Sequence, residues 1–185
     1  MFNRQTIEIR VGEKTVVLET GKIARQAGGA VMARAGETFV LATACAAPTA
    51  SAEIDFLPLR VDYQEKFSSV GKTLGGFIKR EGRPAEREIL TSRLIDRPLR
   101  PMFEEGYYNE VQVLAYVYAY DGQLQPDVLA ICASSAALVI SEIPLVKPIG
   151  AVRVGMINNR FIVNPSTEQM KESQLDLVLA GTEDA

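Results

Sequence analysis

Apolar and polar residues alternate along much of this chain, and the alternation marks strands. Ile7, Ile9 and Val11 alternate through Thr6–Val11, and Thr15–Leu18 follows across Gly12-Glu13-Lys14, which predicts a hairpin. After a bend over Gly21–Gly29 with a short helical turn, Ala30–Arg34 and Thr38–Ala44 predict a second pair around Ala35-Gly36-Glu37. Their side chains are small and apolar enough for burial on both faces. Phe56–Gln64 predicts a further strand. Glu110–Tyr120 is the clearest one, with Val111, Val113, Ala115 and Val117 on one side. Tyr116, Tyr118 and Tyr120 fall on the other with Gln112 and Leu114, a row open to base stacking or to cross-strand packing. Ala151–Ile157 and Arg160–Val163 predict a hairpin through Asn158-Asn159, a pair that tolerates the positive φ of a tight turn. Asn164-Pro165-Ser166-Thr167 predicts a brief polar turn, and Leu175–Ala180 a last strand.

Two stretches carry helical periodicity instead. Pro84 suits a first helical position, Glu86 and Glu88 suit the positive helix end, and Ile89, Leu90, Leu94 and Ile95 form a stripe expected to be buried, with Pro98 ending the helix. Pro126-Asp127 opens the second helix, Val128–Ser141, which is apolar nearly all round and therefore expected at the centre of the core. Strands outnumber helices and come in hairpins. The expected fold class is α+β, with mixed β-sheets packed around a central buried helix, rather than a doubly wound parallel sheet.

Composition narrows the chemistry. The chain has 185 residues, 47% of them apolar, enough to bury a core as one domain spanning 1–185. Histidine is absent, which removes Ser-His-Asp and Cys-His catalysis, imidazole metal ligands and any imidazole base near neutral pH. Cys45 and Cys132 lie in apolar runs without CxxC-type spacing, so both are expected to be buried structural thiols. The N-terminus lacks an apolar signal region and no apolar run reaches membrane-spanning length, so the expectation is a cytoplasmic chain with no membrane partner. The final strand reaches Gly181–Ala185 with nothing after it to cover the sheet, as expected of an N-terminal fragment of a longer multidomain chain.

Charge is unevenly distributed. The whole chain carries −3, yet residues 79–100 carry +3, which leaves −6 on the remainder. The basic part begins as a glycine-rich loop, Gly75-Gly76-Phe77-Ile78-Lys79-Arg80-Glu81-Gly82-Arg83, and continues into the helix with Arg87, Arg93, Arg97 and Arg100. An aromatic ring beside several cations on a mobile loop suits single-stranded nucleic acid: cations attract phosphates and the ring offers a base its face. The competing reading is a solvated helix surface with ion pairs to Glu86, Glu88 and Asp96.

The stretch "GGFIKREGRPAEREILTSRLIDRPLRPMF" resembles the polynucleotide phosphorylase (polyribonucleotide nucleotidyltransferase) family. So do "LETGKIARQAGGAVMARAGETFVLATA" and "DFLPLRVDYQEKF" before it, and "NEVQVLAYV", "PIGAVRVGMINNRFIVNP" and "LDLVLAGTEDA" after it. The resemblance covers nearly the whole chain and matches the first of the family's two ribonuclease PH-like domains, implying the ribonuclease PH-like (ribosomal protein S5 domain 2-like) fold. It also implies a homotrimeric ring that degrades RNA from the 3′ end with inorganic phosphate, reversibly releasing nucleoside diphosphates with Mg²⁺, within an RNA-degradation complex. By this resemblance Phe77 is the stacking platform, and Lys79, Arg80 and Arg83 hold phosphates of single-stranded RNA. Many members have Phe and Arg where this chain has Ile78 and Lys79, which weakens stacking and replaces a forked donor with a point charge. Arg93, Arg97 and Arg100 also match, either as phosphate or RNA contacts or as structural ion pairs.

The same resemblance implies that catalysis lies elsewhere. The serines that help the family's active second domain bind phosphate at a helix N-terminus correspond here to Gln125, Pro126 and Asp127, while Ser134 and Ser135 lie farther along the helix. Of two aspartates six residues apart near its last strand, the second corresponds to Asp176 and the first to Met170, so no catalytic or metal residue is expected here and Asp176 is expected to hydrogen-bond at the start of its strand. The alternative is a non-catalytic RNA-binding or ring-scaffold subunit of an exosome-like assembly. An active ribonuclease PH-type enzyme is disfavoured by Pro126, Asp127 and Met170.

Overall fold

The computed structural model describes residues 3–50, 54–77 and 79–184. Six strands form the larger sheet: β1 (Gln5–Val11), β2 (Lys14–Thr20), β3 (Gly29–Ala35), β4 (Thr38–Ala46), β5 (Leu59–Glu65) and β6 (Val111–Ala119), in the order β1-β2-β3-β4-β6-β5. All neighbours are antiparallel except β5 and β6, so the sheet is mixed. A smaller antiparallel sheet orders as β8-β7-β9, from β7 (Gly150–Ile157), β8 (Arg160–Val163) and β9 (Asp176–Gly181). Asn158 and Asn159, with φ of 52° and 58°, make the turn from β7 into β8.

Helix α1 spans Glu86–Leu99, α2 Pro126–Val139 and α3 Thr167–Glu172. The all-round apolar pattern of α2 becomes a helix with eleven buried residues, packed on β3, β4, β6 and β7. It lies between the two sheets and forms the centre of a core with Val40, Val113, Val117, Ile131 and Leu138. Its closest approach is to Gly29, where an added Cβ would stand 1.9 Å from the Ala137 carbonyl oxygen, so only glycine fits.

Five expectations are corrected. The stripe on α1 is narrower than its apolar pattern: Thr91, Ile95 and Leu99 are buried, whereas Ile89, Leu90 and Leu94 are exposed. The helix begins at Glu86, not Pro84, and runs through Pro98 to Leu99 before tightening into a 3₁₀ turn at Arg100–Met102. The β3–β4 pair is not buried on both faces, because α2 covers one side and leaves Arg34 and Cys45 exposed on the other. Cys45 is thus no buried thiol, while half-buried Cys132 exchanges hydrogen bonds with the Ala151 backbone. The polar turn at Ser166-Thr167 is the start of α3, with Ser166 and Gln169 closing a capping box.

Polar side chains of α1 and of the 3₁₀ turn after it cap part of the outer edge of β5. Glu88 accepts from the Glu65 N–H at 2.8 Å, Ser92 accepts from the Tyr63 N–H at 3.0 Å, and Arg100 donates to the carbonyls of Leu57 and Leu59 at 3.1 and 3.2 Å. No helix among the described residues is long and apolar enough to cross a membrane.

Candidate nucleic-acid interface

Beyond β5 the chain makes a 3₁₀ turn, Phe67–Val70, then runs without a helix or strand among the described residues until α1. Here the structure places the sequence-predicted loop. A Cβ added at Gly75, Gly76 or Gly82 would meet nothing within 4 Å, so the segment stands clear of the sheet. Phe77 is fully exposed. Lys79, with φ of 49°, Arg80 and Arg83 are exposed and have no hydrogen bond or ion pair among the described residues. Ile78 lies outside the described residues. The loop returns through Glu81, whose Oε2 accepts from Lys66 Nζ and from Gln64 Nε2, each at 2.8 Å. Lys66 also stands 4.9 Å above the centre of the Tyr116 ring.

The arginines of α1 divide by their partners. Arg93 and Arg97 lie on the solvent side, opposite Thr91, Ile95 and Leu99, with no hydrogen bond or ion pair among the described residues. Arg93 borders a cleft of about 600 Å³ between α1 and the outer face of β5 and β6, together with Gln64, Pro84, Gln112 and Tyr116. Arg100 is fixed to Asp96 and to the β5 edge, and Arg87 contacts Glu65 and Gln125, so both serve the fold. Of the three arginines with two open assignments, Arg100 alone has ion-pair and hydrogen-bond partners among the described residues. The tyrosine row separates too: Tyr116 carries Lys66, Tyr118 is exposed and Tyr120 packs against the core.

At the N-terminus of α2 the side chains are engaged with one another. Arg153 projects from β7 and donates from Nη1 to Asp127 Oδ2 at 2.7 Å. Its Nε and Nη2 donate to the two oxygens of Asp176 at 2.7 and 2.8 Å. The Asp176 hydrogen bonds, with burial acting in opposition and Asp127 reinforcing them, raise the guanidinium above even its usual value. Asp176, the first residue of β9, thus makes the strand-opening hydrogen bonds expected of it, as one half of a bidentate ion pair. Close by, burial and the adjoining Glu65 carboxylate, which accepts from the Tyr63 hydroxyl at 2.8 Å, push the Tyr63 phenol far above its ordinary range. Ser134 and Ser135 are buried inside α2, and Ser135 accepts from the Ile149 N–H at 2.7 Å.

These residues do not fit a Mg²⁺ or phosphate site. Both oxygens of Asp176 accept from Arg153, Met170 offers a thioether to a hard cation, and no cluster of three potential ligands occurs among the described residues. Pro126 has no N–H, and the Asp127 carboxylate accepts from the Val128 N–H at the helix end where an anion would bind. Another groove, of about 520 Å³, lies between the β1–β2 hairpin and the smaller sheet; its lining is mainly apolar, including Ile9, Leu18, Val128 and Leu179, and holds no charged group.

Two sheets around one buried helix, with a cationic loop leaving the edge of the larger sheet, define an α+β domain of the ribonuclease PH-like fold. A family model for the 3′ exoribonuclease family, domain 1, matches residues 12–144, and one for domain 2 of that family matches residues 147–185. The chain belongs to the 3′ exoribonuclease family. The two matches meet between α2 and β7, where the larger sheet gives way to the smaller. A polyribonucleotide nucleotidyltransferase of Protochlamydia amoebophila (strain UWE25) is 70% identical over 184 residues, covering 100% of this chain and 26% of the relative. One of Chlamydia pneumoniae is 62% identical over 185 residues, again covering 100% and 26%. The chain thus spans about a quarter of the length of these relatives. A chain of the Archaeoglobus fulgidus exosome, solved with RNA bound to the active site, superposes with a TM-score of 0.67 at 18% identity, covering 99% of this chain and 74% of that one.

Sequence reasoning passed over Arg153, Glu81 and Lys66. For Arg153 a signal existed: one arginine interrupts the apolar run Ala151–Ile157. A lone cation in such a strand needs a carboxylate partner, and the structure supplies Asp127 and Asp176. Glu81 and Lys66 carried no local signal, since their pairing depends on where the loop returns.

Proposed function

We propose that this chain is the first ribonuclease PH-like domain of a cytoplasmic polyribonucleotide nucleotidyltransferase and guides single-stranded RNA without performing the chemistry. The parent enzyme degrades RNA 3′→5′ by phosphorolysis, reversibly releasing nucleoside diphosphates, as a homotrimeric ring able to join an RNA-degradation complex. Mg²⁺, inorganic phosphate and nucleoside diphosphates are handled by a second domain. The observation that carries this reading is a contrast within the chain: Phe77, Lys79, Arg80 and Arg83 are exposed and unengaged among the described residues, while Asp127 and Asp176 are both held by Arg153. The loop attracts phosphates and offers a base a ring, and the exposed Arg93 and Arg97 extend the cationic surface along α1.

The test is incubation with poly(A), Mg²⁺ and phosphate, followed by measurement of ADP. The expected result is no ADP from this chain alone and release once a polypeptide carrying the second ribonuclease PH-like domain is present. ADP released by this chain alone would refute the division of labour. The resemblance to an exosome chain favours a second reading, a non-catalytic scaffold subunit of an exosome-like ring. RNA binding without ADP release under either condition would favour that reading.

A further inference from the structure

Residues 73–84 contain three glycines, and among the described residues only Glu81 joins this segment to the rest of the chain by hydrogen bonds. Lys66 and Glu81 are only about a quarter exposed, at 26% and 24%, so water screens this pair less than a surface ion pair. Lys66 is itself constrained, donating to Gln64 Oε1 at 2.6 Å while lying over the Tyr116 ring. Gln64 donates to Glu81 from the other end of the same amide, so Gln64, Lys66 and Glu81 close a three-membered ring of hydrogen bonds on the end of β5. Glu81 follows Arg80 directly, and the phosphate-binding cations lie on either side of it.

We propose that Glu81 is a positioning residue for RNA: it fastens the returning arm of the loop to Lys66 and Gln64 and so presents Phe77, Lys79, Arg80 and Arg83 together. This rests on the reading of that loop as the RNA contact. A tethered loop loses less freedom on binding than an untethered one, and an unfastened loop is competent for only a fraction of the time. The sign of the effect is diagnostic. Removing a carboxylate from among phosphate-binding cations would by charge alone tighten RNA binding, whereas loss of the tether weakens it.

The experiment is titration of fluorescent single-stranded oligo(A) into the protein and its Glu81→Ala, Glu81→Gln, Lys66→Ala and Lys66→Ala/Glu81→Ala variants at several salt concentrations, beside a Lys79/Arg80/Arg83→Ala variant. Glu81→Ala is expected to weaken binding about 5-fold, as for a competent fraction of about one fifth. Its salt slope is expected to be unchanged because the phosphate contacts remain. The Lys66→Ala/Glu81→Ala variant is expected to be no weaker than Glu81→Ala, since Glu81→Ala already removes both hydrogen bonds of the tether. The unfolding midpoint is expected to fall only slightly, because Glu81 bonds to Gln64 and Lys66, neither of them in the core cluster, and Glu81→Gln supplies an isosteric check on folding. If Glu81→Ala binds as tightly as the parent or tighter while the triple variant loses affinity, the tether is wrong and the loop assignment survives. If the triple variant also binds like the parent, or the protein binds no RNA, the loop assignment fails and the tether with it.

Discussion

Arg153 Nη1 lies 2.7 Å from Asp127 Oδ2, an ion pair that joins the smaller sheet to the first turn of the central helix. The side chains are 16% and 11% exposed, so each charge depends on the other in a region largely closed to water. Replacing Arg153 with Met leaves Asp127 buried and unpaired, and is expected to destabilise the fold by about 3–5 kcal/mol in urea unfolding. Asp176 is half exposed, and Asp176→Asn is expected to cost under about 1 kcal/mol. Equal losses from the two changes would show that the bridge to α2 has no special weight.

The arginines of α1 are expected to separate by assay. Arg100→Ala removes donors to Asp96 and to the carbonyls of Leu57 and Leu59, and is expected to cost about 1 kcal/mol of stability while leaving RNA affinity unchanged. Arg93→Ala and Arg97→Ala break no hydrogen bond or ion pair among the described residues, and are expected to lower RNA affinity at an unchanged unfolding midpoint. The reverse pattern in paired unfolding and binding measurements would exchange their roles.

At the loop, Phe77→Ala is expected to weaken oligo(A) binding by about 1–3 kcal/mol, the range for one base on one ring. Changing Lys79, Arg80 and Arg83 together to Ala is expected to reduce the slope of log affinity against log salt by roughly 2, from three phosphate contacts on a single strand. Fluorescence anisotropy across a salt series reads both quantities. A slope that does not move would remove these cations from the interface.

How far the fold was legible follows from these same residues. Alternation disclosed the strands, most clearly β6, whose buried Val111, Val113, Ala115 and Val117 alternate with less buried neighbours, and all-round apolarity disclosed α2 because sheets lie on two sides of it. Helix α1 was misjudged, since Ile89, Leu90, Leu94 and Ile95 have a convincing helical spacing and yet only Ile95 is buried. The helix lies beside the margin of a sheet rather than over its face. A margin asks for donors and acceptors, which Glu88, Ser92 and Arg100 supply, and an apolar pattern cannot show that demand. Cys45 was misjudged for a related reason: an apolar neighbourhood in sequence does not reveal which face of a strand lacks a cover. That residues 75–83 form a loop was legible from their glycines, whereas the attachment through Glu81 needed three dimensions.

Asp121 makes acid stability measurable. Burial alone would raise its carboxyl, but hydrogen bonds from the backbone N–H groups of Gln123 and Glu37 and from the Thr38 hydroxyl hold it below the usual range. A carboxyl lower in the folded than in the unfolded chain stabilises at pH above its unfolded value, roughly 3.9, and that contribution is lost as pH falls through the folded value. Asp121→Asn is therefore expected to be less stable than the parent at neutral pH and to approach it below about pH 4. Thermal unfolding of both across pH tests this, and parallel curves would exclude Asp121 as a contributor.

The closure of β5 by side chains rather than by another strand makes growth of the larger sheet one-sided. An extended segment arriving from outside finds the β5 margin partly occupied by Glu88, Ser92 and Arg100, so backbone annealing is favoured along β1, at the opposite end of the strand order. There exposed Glu8 and Arg10 alternate with Ile7 and Ile9, giving an incoming strand fixed charges to match before it can add.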